Sequence, residues 1–232
     1  MSRQIILDTE TTGLKPEEGH RIIEIGAVEM INRKITGNNL QLYINPERDI
    51  DEQAQAVHGI SLAFLADKPV FADIASLFLE FIQDADLIIH NAPFDLGFLN
   101  AELQRHSHTL NRLEKNHCII DTLVLAREKH PGQKNSLDAL CKRYNIDNSS
   151  RNLHGALLDA EILGQVYLAM TSGQTSLFMD VEADVKEIAL QPTHQSVVMQ
   201  KTQALKVIYA SADELSAHQT FLQKYLPDAD EW

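Results

Sequence analysis

The feature that most constrains the fold is a change of hydrophobic period part of the way along the chain. Arg3 to Asp8 reads RQIILD, Ile22 to Ile31 sets Ile23, Ile25 and Ala27 against Glu24, Gly26 and Glu29, and Leu40 to Ile44 ends at Asn45-Pro46. These are strand patterns, with Gly37-Asn38-Asn39 as the expected turn between the second and third. From Ile74 the spacing becomes i, i+3, i+4, i+7 and i+8 through Leu77, Phe78, Phe81 and Ile82, the apolar stripe of a helix. A short strand at Leu87 to His90 follows, then helices at Asp95 to Gln104, Asp121 to Lys129, Ser136 to Tyr144 and Gly155 to Met170. Three strands followed by alternating strands and helices predict an α/β layered domain with a mixed central sheet flanked by helices.

That pattern stops near Thr171-Ser172-Gly173. Met179 to Lys201 holds no period and carries scattered charges, which predicts a flexible linker over 179–203. Leu205 to Ala210 is strand-like, and Ser211-Ala212-Asp213-Glu214 has the spacing of a capping box that opens a helix through Leu215, Leu222 and Leu226. The tail, 204–232, is too short to bury a core of its own yet carries Tyr209, Phe221, Tyr225 and Trp232, so it is expected to dock on a partner. The 232 residues thus divide into one domain, 1–173, and an appendage. No apolar run reaches the ~20 residues of a membrane span. Cys118 and Cys141 make neither a disulfide framework nor a zinc site and read as buried small hydrophobes in a soluble cytoplasmic protein. His106, His108, His117 and His130 lack ligand spacing and are expected to be exposed. The net charge of -13 argues against a nucleic-acid binder that meets phosphates with a basic face. It leaves two routes to such a substrate, through carboxylate-bound cations or through a partner.

Three short stretches carry chemistry. In Asp8-Thr9-Glu10-Thr11-Thr12-Gly13 the two carboxylates stand two apart at the end of a strand and point to one side. Asp95, in His90-Asn91-Ala92-Pro93-Phe94-Asp95, opens a helix, where a capping role is the common one. His154 and Asp159 are five residues apart, about 140° of helical rotation, so they converge only if His154 lies on the loop before the helix, which Gly155 permits. Each stretch alone is more often structural. Together, four carboxylates set among core elements repel, each like pair ~4 Å apart costing on the order of 4 kcal/mol at an effective dielectric of ~20. Two divalent cations, Mg²⁺ or Mn²⁺, remove that penalty and can drive in-line attack of water on phosphorus. His154 is the side chain suited to take the water's proton.

DTETTG, HNAPFD and HGALLD resemble, in order and spacing, the three motifs of the DEDDh 3′→5′ exonucleases, over roughly residues 3 to 172. RIIEIGAVE, VHGI, NSLDALCKRY and GALLDAEILGQVYLAMTSGQTS resemble, more narrowly, the epsilon proofreading subunits of bacterial DNA polymerase III. The resemblance implies a ribonuclease H-like fold, metal ligation by Asp8, Glu10, Asp95 and Asp159, and His154 as general base. It also implies that Glu10, Gln53, His58 and Asp159 contact the terminal nucleotide of a DNA 3′ end, and that nucleoside 5′-monophosphates are released. Gln174-Thr175-Ser176-Leu177-Phe178 resembles the pentapeptide that docks bacterial proteins on the sliding clamp, with Gln174, Leu177 and Phe178 as its contacts. The polymerase alpha subunit is the expected partner of the tail, and a small accessory subunit on the catalytic domain is a further partner the resemblance admits. A free-standing RNA-trimming exonuclease and an assembly adaptor with a vestigial nuclease fold are the competing readings. The linker and tail argue against the first, and the complete set of five catalytic residues against the second.

Overall fold

A computed structural model describes residues 2–106, 112–149, 151, 153–172, 211–214, 216 and 218. The chain divides into two compact units, Met1–Met179 and Asp180–Trp232. In the first, five strands, β1 (Arg3–Thr11), β2 (Ile22–Ile31), β3 (Lys34–Tyr43), β4 (Asp86–Ile89) and β5 (Ile119–Asp121), form one sheet in the order β3-β2-β1-β4-β5. β2 pairs antiparallel with β1 and β3, while β4 runs parallel to both β1 and β5, so the sheet is mixed.

Seven α-helices complete the unit among the described residues: α1 (Glu52–His58), α2 (Leu62–Leu65), α3 (Phe71–Ile82), α4 (Ala92–Arg105), α5 (Thr122–Lys129), α6 (Leu137–Tyr144) and α7 (Ala156–Thr171). The sheet separates two cores. Ile5 and Leu7 of β1 pack with Phe71 and Phe78 of α3 and with Phe98 and Leu99 of α4, whereas Ile6 packs with Leu140 of α6 and Leu163 and Val166 of α7. Because side chains alternate along a strand, this fixes the face toward which each later residue of β1 points.

The hairpin differs from expectation. Its reversal is at Asn32-Arg33, both at positive φ (49° and 64°), with Ile31 paired to Lys34, and Gly37-Asn38-Asn39 lies inside β3. A two-residue turn with both central φ positive matches the twist of the strands it joins. α1, α2 and β5 are additions to the elements read from the sequence. Cys141 is buried as expected, but Cys118 is exposed. It precedes the edge strand β5, where its carbonyl accepts from Leu87 N at 2.8 Å while its side chain stays outside the core. His106, His117 and His130 are half-buried rather than exposed: His106 stacks on Phe71, His117 Nδ1 lies 2.9 Å from Ala85 O, and His130 Nε2 lies 2.7 Å from Tyr144 Oη. His108 lies outside the described residues.

In the second unit Ser211 and Glu214 exchange the reciprocal bonds of a capping box, Ser211 N donating to Glu214 Oε2 at 2.8 Å and Glu214 N to Ser211 Oγ at 3.3 Å. The strand expected at Leu205 to Ala210, the linker and the aromatic residues of the tail lie outside the described residues. Among those described, no helix is long and apolar enough to cross a membrane.

Candidate active site

The carboxyl ends of the parallel strands β1 and β4 assemble the site. Asp8 and Glu10 continue the face of Ile6, toward α7, and Thr9 points to the opposite face, where its Oγ1 donates to Asp95 Oδ1 at 2.7 Å. Asp95 stands in the first turn of α4, which Asn91 opens with φ of 68°. Asp159 stands in the first turn of α7. His154 lies on the loop before that helix, its Nδ1 3.4 Å from Asp159 Oδ2. One ligand atom each from Glu10, His154 and Asp159 come within 4.8 Å of one another.

Two features of β2 bring α7 this close. Gly26 pairs with Asp8 across the sheet, and a Cβ on it would stand 2.1 Å from the backbone of Ala156 and Leu157, so no other residue leaves room for the helix. Glu24, 1% exposed, accepts from Ala156 N at 3.1 Å through Oε2 and from Gln41 Nε2 at 2.8 Å through Oε1. It thereby satisfies an otherwise orphaned helix donor and places a negative charge at the positive end of α7. The loop before α7 is anchored from the other side. His154 N donates to Val57 O of α1 at 3.1 Å, and Leu153 covers Gly59, where a Cβ would meet its Cδ1 at 2.5 Å.

The carboxylates resist ionising together. Burial, then the charges of Asp95, Glu10 and Asp159, hold the Asp8 carboxyl well above its ordinary range. Burial, then Asp159, Glu24 and Asp95, push Glu10 up to about 8. Burial pushes Asp95 to about 7 against the hydrogen bond from Thr9. A cluster of hard oxygen donors whose carboxyls are pushed up by burial and by one another fits a divalent cation such as Mg²⁺ or Mn²⁺.

A cation of the chain's own also enters the cluster. Arg151, with its side chain 7% exposed, donates from Nε to Asp159 Oδ1 at 2.5 Å, from Nη2 to Asp159 Oδ2 at 2.8 Å and from Nη1 to Asp138 Oδ1 at 2.7 Å. Its Nη2 is also 3.0 Å from His154 Nδ1. Sequence reasoning missed Arg151, Thr9, Glu24 and Gly26. For Arg151 there was a signal, a basic residue three positions before His154 in a chain of net charge -13.

Two cavities meet at the site, and Glu10 lies in the wall of both. One, of about 460 Å³, is lined by Leu14, Gln53, Ala54, Val57, His58 and Phe94 among others, and the second, of about 660 Å³, by Asp8, Asp95, Asp138, Arg151, His154 and Asp159 among others. Gln53 is exposed on the first wall, and His58 is buried with its Nδ1 accepting from Ile60 N at 3.0 Å, which leaves Nε2 to carry the ring hydrogen. Burial lowers the His58 pKa, which favours the neutral ring. Gln174, Leu177 and Phe178 lie outside the described residues.

Comparison with known proteins agrees with this geometry. The Exonuclease family, represented by RNase T, matches residues 5–167. The chain is 53% identical over 225 residues to the DNA polymerase III subunit epsilon of Pasteurella multocida, covering 95% of this chain and 88% of that one. To the DNA polymerase III subunit epsilon of Salmonella typhimurium it is 51% identical over 226 residues, covering 96% and 93%. The structure of exonuclease X in complex with 5′ overhanging duplex DNA superposes with a TM-score of 0.53 and 31% identity, over 73% of this chain and 90% of that one. The chain belongs to the exonuclease family and, within it, to the DNA polymerase III epsilon subunits.

Proposed function

We infer that this chain is the 3′→5′ exonuclease that proofreads for a replicative DNA polymerase, releasing nucleoside 5′-monophosphates one at a time. The observation that carries this reading is the meeting of Asp8, Glu10, Asp95, Asp159 and His154 where two cavities join, in a chain of this family. Two divalent cations, Mg²⁺ or Mn²⁺, held by the four carboxylates, would neutralise charge on the scissile phosphate and acidify the attacking water. His154 takes the proton of that water as its oxygen bonds to phosphorus and the bond to the 3′ oxygen of the shortened strand breaks. The smaller cavity receives the terminal nucleotide, with Val57 and Phe94 against the base, His58 donating from Nε2 to a nucleotide oxygen, and Gln53 hydrogen-bonding at the rim. Glu10 and Asp159 border the same nucleotide.

The remaining assignments concern assembly. Gln174, Leu177 and Phe178 dock on the sliding clamp, 179–203 is the linker, and 204–232 docks on the polymerase alpha subunit, all in the bacterial cytoplasm. The deciding experiment incubates the chain with single-stranded DNA, paired and mispaired primer ends and RNA, in Mg²⁺ and in chelator. Mispaired DNA ends should be shortened faster than paired ones, because a frayed strand reaches the site without melting a pair, and chelator should stop the reaction. Preference for RNA, or hydrolysis in chelator, would overturn the reading.

A further inference from the structure

The contact between Arg151 and His154 conflicts with the work expected of His154. A guanidinium is always protonated and only donates, so at 3.0 Å from Arg151 Nη2 the His154 Nδ1 is the acceptor. In the neutral ring the other nitrogen, Nε2, then carries the hydrogen. Neither nitrogen is free to take a proton from water, since one lone pair is engaged and the other is already bonded to hydrogen. Placing the ring hydrogen on Nδ1 instead would turn two N–H groups toward each other. The arrangement is therefore unreactive for a general base, and Arg151 must let go before His154 can act.

What would release it is also visible. The guanidinium is held chiefly by Asp159, which engages it through both oxygens. Asp159 cannot keep that pairing unchanged while binding a divalent cation, whose ligand oxygens lie at ~2.0–2.1 Å for Mg²⁺ and whose double charge repels the guanidinium. A resting place is at hand. Asp138, on α6, already accepts from Nη1 at 2.7 Å, and its side chain is 54% exposed, so it can retain the guanidinium after Asp159 lets go.

We propose that Arg151 is a positioning residue that latches His154 to Asp159 in an unreactive pair, and that Asp159 frees it toward Asp138 on ligating a divalent cation. The base is then available only when the site is loaded. This rests on the reading of Asp159 as a metal ligand.

The test follows the side chains directly in the full-length chain by ¹⁵N NMR, beside calorimetry of Mg²⁺ binding without DNA. In chelator, a slowly exchanging arginine Nε–H resonance that disappears in Arg151→Lys should be present, and the His154 ring nitrogens should show the Nε2–H tautomer. Adding Mg²⁺ should speed exchange of that Nε–H at least tenfold and shift the His154 Nδ1 signal, both at the concentration where calorimetry shows binding. In Arg151→Gln, Mg²⁺ should bind about tenfold more tightly than in the wild type, because a competing positive charge is gone. If Mg²⁺ binds while both wild-type signals stay unchanged, Arg151 is a permanent clamp and the proposal fails. If calorimetry finds no Mg²⁺ binding at all, the metal-site reading fails, and the latch with it.

Discussion

Replacing Gly26 by Ala tests whether the packing of one helix sets the geometry of the site. The added Cβ would lie 2.1 Å from Ala156 C and Leu157 N and 2.3 Å from Ala156 O, all of them backbone atoms that no side-chain rotation can move aside. An ordinary carbon contact is ~3.5 Å, so the first turn of α7 must retreat by roughly 1.4 Å. That motion stretches the 3.1 Å bond from Ala156 N to Glu24 beyond hydrogen-bonding range and carries Asp159 and His154 away from Asp8 and Glu10, which the sheet holds in place. Overpacking of this kind costs about 1–3 kcal/mol, less than the ~5–15 kcal/mol that keeps a domain folded, so the protein should survive. A misplacement of about 1 Å can cost ~10²-fold in rate. Initial rates on single-stranded DNA at saturating Mg²⁺, with urea denaturation alongside, should show a folded variant at about 1% of wild-type activity. Gly37→Ala is the control. Its φ of +83° makes an alanine strained, but nothing lies within 4 Å, so it should lose stability while keeping its rate. Wild-type turnover by Gly26→Ala would refute the reasoning.

Glu10 rises from its ordinary 4.5 to about 8 and Asp95 from 3.8 to about 7, so the folded chain keeps protons that the unfolded chain gives up above about pH 4. In chelator their contribution to stability is complete below that pH and is lost as pH climbs through their folded values. Unfolding free energies from urea titrations should fall between about pH 5 and 7 by about 1.4 kcal/mol per pH unit for each of the two groups that keeps its proton, with Mg²⁺ flattening the slope, and a rise over that window would contradict the assignment. Asp8→Asn should abolish hydrolysis yet raise stability in chelator by on the order of 1 kcal/mol, because Asp95, Glu10 and Asp159 all oppose its charge. Asp159→Ala should be equally inactive but lose about 3 kcal/mol, since it strips the buried Arg151 of its main partner; equal melting temperatures for the two variants would count against this contrast. His154→Ala should lower the rate by ~10²–10⁴-fold with Mg²⁺ affinity almost unchanged, as calorimetry would reveal; a collapse of affinity would make His154 a ligand.

Long periodic elements were legible in the sequence because burial on one face writes a repeat. β1, β2, α3, α4 and α7 lie within a few residues of their expected positions, and the two-residue spacing of Asp8 and Glu10 gave their common face. The rotation between His154 and Asp159 correctly placed the histidine on a loop. β5, with three residues, and α2, with four, are too short to show any period. The hairpin was misread because Gly37 is stronger local punctuation than Asn32-Arg33, although the register of the ladder decides the turn. Pairings across the fold left no local trace. Glu24 meets Ala156 across 132 residues, and which carboxylate Arg151 would find depends on how α6 and α7 come together.

The bond from His154 N to Val57 O joins the loop that carries His154 to the wall of the smaller cavity. α1 has only seven residues, with His58 its one buried side chain, and a helix of two turns opens at small cost. Each opening would unfasten the loop carrying His154 without moving Asp8, Glu10, Asp95 or Asp159, none of which lies on α1. Amide exchange at His154 should therefore keep pace with that at Gly59, whose N–H closes α1 on Gln55 O. A nucleotide lodged against Val57 and His58 would slow both. The quality of fit at the strand end would then reach the base as a change in how long its loop stays still, a signal in time rather than in position.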